Sequence, residues 1–131
     1  MFLTRECDYA IRVVRDLADL QMKSVRVICE REQIPLPFAY KILKKLEHAN
    51  IVCSYRGVAG GYQLAKMPNS IRLVDIVSAV DEHLFLNECL EHGYLCERNV
   101  SGISCGVHRE LTRIQNILVE ALSEKTMDEL I

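Results

Sequence analysis

Apolar residues recur every three or four positions along most of this chain, which is the spacing of amphipathic helices. The pattern predicts helices over residues 5–20, 26–33, 38–49, 71–80 and 107–123. Thr4 and Thr126 precede two helical segments and are candidate N-caps, because a threonine hydroxyl can accept a hydrogen bond from the first turn. The pattern therefore indicates a mainly helical protein.

A different pattern follows the third predicted helix. Residues 51–55 and 62–65 are rich in β-branched and aromatic side chains, which is typical of strands, and residues 56–61 form a glycine-rich turn between them. Three short helices followed by a hairpin is the order of elements in a winged helix-turn-helix. We therefore predict a mainly α fold with a small β-hairpin wing, followed by a long C-terminal dimerisation helix.

The third predicted helix has an apolar face and a polar face. At 100° per residue, the polar arc contains Tyr40, Lys41, Lys44, Lys45 and His48. In a helix-turn-helix protein this helix lies in the major groove, where lysines can neutralise phosphates and Tyr40 can touch base edges. Lysines on a solvated amphipathic helix would give the same pattern, so the helix alone leaves both interpretations open.

Charge is distributed unevenly along the chain, although the net charge is only −2. Residues 35–72 carry six basic side chains and one acidic one, whereas residues 73–131 carry four basic and eleven acidic. A locally basic segment in an acidic protein indicates a polyanionic partner, and double-stranded DNA fits the predicted helix-turn-helix.

The six cysteines indicate chemistry beyond packing. No apolar run reaches the length of a membrane span and no secretion signal is evident, so we expect a cytoplasmic protein whose thiols are reduced or bound to metal. Cys89, Cys96 and Cys105 lie in an irregular segment, and His108 follows Cys105 by three positions. Thiolate and imidazole are donors for iron–sulfur clusters and for zinc.

The remaining cysteines, Cys7, Cys29 and Cys53, lie beside apolar faces of predicted elements and are interpreted as packing residues.

Four motifs can be compared with known families. They are Leu3-Thr4, Tyr40-Lys41-Ile42-Leu43-x-x-Leu46, Arg56-Gly57-x-x-Gly60-Gly61-Tyr62-x-Leu64-Ala65 and Ile71-x-Leu73-x-Asp75-Ile76. With the cysteine loop and the long helix after it, they make the chain resemble the IscR/NsrR-type family of winged-helix regulators, many of which sense iron–sulfur clusters. The resemblance covers nearly the whole chain, and the wing motif is its most specific part.

The resemblance implies a homodimer that binds an operator through two winged helices. The wing arginine, here Arg56, would enter the minor groove, where negative potential favours arginine. Gly60 and Gly61 let the hairpin turn tightly and approach DNA closely, although a tight turn without any contact explains them equally well.

The resemblance also implies that Cys89, Cys96 and Cys105 hold an iron–sulfur cluster. Two candidates for the fourth ligand stay open. His108 favours a 2Fe–2S cluster, whereas Asp8 of helix one, supplied by the other subunit, would make a 4Fe–4S cluster possible. Asp8 as an ordinary surface acid is a third interpretation.

These observations divide the chain into a DNA-binding domain (residues 1–80), a cluster-binding loop (81–106) and a dimerisation helix with its tail (107–131). We predict a dimeric transcription regulator, favoured as a repressor, whose cluster senses redox state, nitric oxide or iron supply. The alternatives are a cluster-free regulator that uses its cysteines as a thiol switch or zinc site, and action through a protein partner. The sequence contains no phosphate-cradling loop or nucleophile–base arrangement, and we do not expect an enzyme.

Overall fold

The computed structural model of the protein describes residues 3–99 and 104–131. Its helices are α1 (Arg5–Asp16), α2 (Val25–Glu32), α3 (Leu36–His48), α4 (Leu73–Val80), α5 (Gly106–Glu124) and α6 (Met127–Leu130). Strands β1 (Val52–Tyr55) and β2 (Gly61–Leu64) form an antiparallel hairpin. The predicted fold class, mainly helical with a hairpin wing and a C-terminal helix, is confirmed.

Local signals fix where the first and third helices begin. The Thr4 hydroxyl accepts a hydrogen bond of 3.3 Å from the Cys7 amide, so Thr4 is the N-cap of α1 as predicted. Helix α3 begins at Leu36, two residues before its predicted start. Pro35 caps it in an extended conformation and Pro37 lies in its first turn, where a missing N–H has no cost.

Helix α1 ends earlier than its apolar pattern predicts. A 3₁₀ turn follows over Leu17–Asp19, and Leu20 adopts a left-handed conformation with φ of 63°. Leu17 and Ala18 are still buried, so the apolar spacing continues through the turn although the helix does not. Apolar spacing alone therefore could not locate this end.

The core lies where α1 meets α2, α3 and α4. The apolar face predicted for the third helix is the face of α3 that is buried, and it consists of Ala39, Ile42, Leu43 and Leu46. Burial of these residues fixes the rotation of α3 and so presents its polar face outwards.

The wing is attached to the loop before α2. Lys23 and Tyr62 pair as a β-bridge, with backbone hydrogen bonds of 2.9 and 2.8 Å. The Lys23 ammonium lies 2.7 Å from the Asp19 carboxylate, beyond the end of α1. These contacts hold strand β2 of the hairpin against the helical core.

The C-terminal tail returns to the same core after α5. The Met127 amide donates a hydrogen bond of 2.8 Å to the Ile71 carbonyl, and the Met127 side chain is buried with the residues of α1, α3 and α4. Thr126 and Glu129 form a capping box at the start of α6, which confirms the predicted cap. None of the helices in the described ranges is long and apolar enough to cross a membrane.

Candidate DNA interface and cysteine loop

The polar face of α3 carries the side chains predicted to contact DNA. Tyr40, Lys41 and Lys44 are exposed, whereas Lys45 is half-buried. Tyr40 keeps 51 % of its surface exposed. An exposed phenol beside two exposed ammonium groups suits a surface that contacts phosphates and base edges.

Two lysines of this face pair with a carboxylate of α1. Glu6 accepts from the Lys41 ammonium, and its other oxygen lies 2.8 Å from the Lys45 nitrogen. These two bonds hold the pKa of the Glu6 carboxyl below its ordinary value, and the bond from Lys41 has the larger effect of the two. Within the described ranges Lys44 forms no such ion pair, so the three lysines are not equivalent.

The wing presents Arg56 directly after β1. The Arg56 side chain is exposed, and Gly57 follows it with a φ of 107°, which an L side chain rarely adopts. Val58, at the tip, is completely exposed. The turn thus leaves Arg56 available to an outside partner, and its contact with DNA stays a prediction.

Gly60 and Gly61 are explained by contacts within the chain. A Cβ atom on Gly60 would lie 2.2 Å from the Tyr55 carbonyl oxygen, and one on Gly61 would lie 2.4 Å from that of Lys23. Both distances are far below van der Waals contact with rigid backbone. The glycines are needed to close and dock the hairpin, and any role of theirs in DNA contact stays a prediction.

The first part of the cysteine loop is held on α5 by one side chain. The Gln115 amide nitrogen donates to the Leu84 carbonyl at 2.8 Å, and its oxygen accepts from the Leu86 amide at 2.9 Å. Cys89 follows in a 3₁₀ turn, Glu88–Leu90, which packs against α5. The loop segment that carries Cys89 is therefore fixed to the long helix.

A second anchor links the other two cysteines. The Asn99 amide donates to the Cys96 carbonyl at 3.0 Å, and the Asn99 side-chain oxygen accepts from the Cys105 amide at 3.4 Å. Cys105 is the N-cap of α5. Asn99 thus connects the segments on either side of residues 100–103, which lie outside the described residues.

The three loop cysteines are half-buried free thiols. In the ranges 3–99 and 104–131, no three His, Cys, Asp or Glu side chains are grouped closely enough to hold a metal ion. The structure therefore places Cys89, Cys96 and Cys105 on segments that meet at α5 without assembling a coordination shell, and the ligand set stays a prediction.

The two candidates for a fourth ligand differ in their surroundings. His108 lies in the first turn of α5, and its Nδ1 atom is buried with no hydrogen-bond partner in the described part of the chain. Asp8 is exposed and pairs at 2.9 Å with Arg12, one turn along α1. A buried imidazole nitrogen without a partner is a donor that suits a soft or borderline metal centre.

A family model described as an iron-dependent transcriptional regulator, Rrf2, matches residues 3–131. The chain belongs to the Rrf2 family. It is therefore a transcription regulator with a DNA-binding winged helix, and not an enzyme.

Curated relatives agree with this assignment. This Rrf2 protein is 31% identical over 134 residues to the HTH-type transcriptional regulator IscR of Vibrio atlanticus. The alignment covers 99% of this chain and 75% of the relative. It is 45% identical over 87 residues to a putative HTH-type transcriptional regulator of Synechocystis sp., covering 64% of the chain and 59% of that relative.

Two solved structures share the fold of this Rrf2 protein. IscR of T. potens superposes with a TM-score of 0.74 at 22% identity, over 97% of this chain and 83% of that one. CymR, described as the global cysteine regulator of B. subtilis, superposes with a TM-score of 0.72 at 23% identity, over 97% of this chain and 93% of that one. At such identities the likeness establishes the winged-helix fold alone.

Sequence reasoning missed the residues that position this site, above all Glu6, Gln115 and Asn99. One signal was available for Gln115, since it is a polar residue between Leu111 and Leu118 on the apolar stripe of α5, and half-buried polar groups need partners. Glu6 gave no local signal, because its lysine partners lie on another helix of the Rrf2 fold.

Proposed function

We propose that this Rrf2 protein is a cytoplasmic homodimer, favoured as a repressor, whose operator affinity is set by an iron–sulfur cluster bound in the cysteine loop. Two observations carry this proposal: three half-buried thiols on segments tied to α5, and the Nδ1 of His108 in the first turn of that helix, which has no partner among the described residues. We keep the division into a DNA-binding part (residues 1–80), a cluster-binding loop (81–106) and a dimerisation helix with its tail (107–131).

The DNA-binding surface in this proposal consists of α3 and the wing. Lys41 and Lys44 neutralise phosphates, Tyr40 touches base edges in the major groove, and Arg56 enters the minor groove. Exposure of all four side chains supports these roles. Gly60 and Gly61 contribute by holding the hairpin in the shape that presents Arg56.

A second copy of the chain is proposed as the partner of α5. None of the 19 residues of α5, all within the described ranges, is fully buried in the single chain. Apolar side chains of α5 are exposed: Val107, Ile114, Ile117 and Val119. A closed twofold dimer would cover them and set two α3 helices about 34 Å apart, the spacing of successive major grooves.

Cys89, Cys96 and Cys105 would hold the cluster, with His108 as the favoured fourth ligand. A bound cluster supplies a redox-active centre that reacts with oxidants and nitric oxide. His108 is favoured, and with it a 2Fe–2S cluster, because its Nδ1 has no partner in the described chain, whereas Asp8 is already bound by Arg12. Asp8 of the second copy stays the rival, with which a 4Fe–4S cluster would be possible.

Iron and acid-labile sulfide in anaerobically isolated protein test the proposal. We expect visible absorbance, with both elements present in the wild type and strongly reduced in Cys89→Ser, Cys96→Ser and Cys105→Ser. Cys53→Ser is the matched control, since Cys53 lies on β1. A colourless wild type without iron would overturn the cluster, and unchanged iron in a loop variant would remove that cysteine from the ligand set.

A cluster-free regulator is the second candidate, because the described residues contain no assembled group of metal ligands. The loop cysteines would then act as a thiol switch or hold zinc. Zinc analysis of the purified protein and thiol titration before and after oxidation distinguish the two forms.

A further inference from the structure

We infer that Lys45 is a positioning residue, which together with Glu6 fixes the recognition helix α3 to α1 and to the end of α4. The sequence pattern predicted that Lys45 contacts phosphate, but the surroundings of its side chain point to a role inside the protein. The inference rests on the proposed DNA-binding function of α3, and assigns to Lys45 a part in that function that differs from the part of Lys44.

The hydrogen bonds of the Lys45 ammonium carry the inference. Its nitrogen lies 2.8 Å from a Glu6 carboxylate oxygen and 2.8 Å from the Val80 carbonyl oxygen. An ammonium group has three donors, so two of them are used by the protein itself. The Lys45 side chain is only 37% exposed, against 57% for Lys41. Only one donor of the Lys45 ammonium is left for an outside partner, and its direction is fixed by the other two bonds.

Charge balance points in the same direction. The Glu6 carboxylate is kept ionised by Lys41 and Lys45, which lower its pKa. One negative charge therefore lies against two positive ones, and the half-buried Lys45 attracts a phosphate less than an unpaired lysine does. Lys44 has no carboxylate within ion-pair distance in the described ranges, so it keeps its full attraction for DNA.

The position of Val80 extends the consequence to the cysteine loop. Val80 is the last residue of α4, and the loop towards Cys89 begins at the next residue. The cleft beside the Lys45–Glu6 pair is lined by the first loop residues, Asp81, Glu82 and His83. A shift of this part of the loop would act directly on the contact that holds α3.

The salt dependence of DNA binding separates the two roles. Loss of one phosphate contact reduces the slope of log K against log salt concentration by about 0.9. On a duplex from the region upstream of its own gene, Lys44→Met should show that reduction. Lys45→Met should lower affinity by a similar factor at every salt concentration, about tenfold, with an unchanged slope. A slope reduced in Lys45→Met as in Lys44→Met would overturn the inference.

Glu6→Gln gives a second test through the sign of its effect, provided that it is made and compared in a Lys41→Met background, because Glu6 also pairs with Lys41. If Lys45 contacted phosphate, removing the competing carboxylate would strengthen binding. If Lys45 positions α3, Glu6→Gln weakens binding, and the double variant with Lys45→Met is no weaker than the worse single variant. Stronger binding by Glu6→Gln, or additive losses in the double variant, would contradict the positioning role.

Amide hydrogen exchange of the free protein tests the positioning role of Lys45 without DNA. Lys45→Met should speed exchange in α3 and at the end of α4, whereas Lys44→Met should leave both unchanged. Equal exchange in the two variants would overturn the inference even if the protein bound DNA. Failure of the wild type to bind any DNA would instead refute the proposed function, and the exchange data would still decide the role of Lys45.

Discussion

The side-chain amide of Gln115 donates a hydrogen bond of 2.8 Å to the carbonyl oxygen of Leu84. Leu84 is partly buried against the core, and Gln115 is in the middle of α5. The start of the cysteine loop is therefore bound at one point both to the helical core and to the proposed dimerisation helix. Ordering or disordering of the loop would therefore change its contacts with both the helical core and α5.

Gln115→Ala should loosen this connection. It removes hydrogen bonds to Leu84 and Leu86, which we expect to cost about 1–2 kcal/mol in the free energy of unfolding. Urea unfolding measures the loss, and the Leu86 amide should exchange faster. Asn116→Ala, at an exposed neighbouring position, is the control and should change stability by less than about 0.5 kcal/mol. Equal stability of the two variants would show that the Gln115 contacts do not hold the loop.

Gly61→Ala should displace the wing. The added Cβ atom would lie 2.4 Å from the Lys23 carbonyl oxygen, so the backbone must move, at an expected cost of about 1–3 kcal/mol. Gly106→Ala is the matched control, because its nearest atom is the flexible end of Arg109 at 4.0 Å. Thermal unfolding compares the two, and a Gly61→Ala variant as stable as Gly106→Ala would be incompatible with the observed docking of the hairpin.

Glu6 should contribute an acid-dependent part of the stability. Lys41 and Lys45 hold its pKa below the ordinary value of 4.5. A carboxyl with a lowered folded pKa stabilises the protein above its unfolded pKa, and this contribution is lost as pH falls through the folded pKa. The Glu6→Gln variant should therefore be less stable than the wild type at neutral pH. Below about pH 4.5 it should lose less stability than the wild type loses. Urea midpoints against pH test this, and parallel curves would contradict it.

The fold could be predicted almost completely from the sequence, because its helices and strands have strong local periodicity. The buried face of α3 follows directly from the spacing of Ile42, Leu43 and Leu46. The end of α1 was misplaced, since the turn at Leu17–Asp19 also buries apolar residues. That end depends on the left-handed Leu20 and on the docking of the wing.

The candidate site was predictable only in its residue types. The sequence indicated thiols close to His108 in the chain, yet it did not indicate the two anchors of that loop. Gln115 binds the amide of Leu86 on a separate segment, and Asn99 binds the amide of Cys105. The pairing of Lys45 with Glu6 is likewise a product of helix packing. Local patterns identify candidate donors and charges, whereas tertiary structure decides which of them are already occupied.

Arg56→Ala should weaken operator binding without affecting the fold or the iron content. The side chain is exposed, so its removal leaves the core intact, and we expect a loss of about tenfold or more in affinity. Lys125→Ala, which removes one positive charge after α5, controls for net charge. Comparable affinities of the two variants in a titration of labelled operator DNA would exclude Arg56 from the interface.

The central claim is that the cysteine loop controls DNA binding. It is tested most directly by comparing the dissociation constants of the wild type and of Cys96→Ser for operator DNA. Both proteins are isolated anaerobically and measured on the same duplex at the same salt concentration. Coupling between a sensor site and a DNA site typically changes affinity by about 5- to 150-fold. We predict a difference of at least about tenfold, since only the wild type would hold the cluster. Equal dissociation constants for an iron-containing wild type and an iron-free variant would contradict control of DNA binding by the cysteine loop.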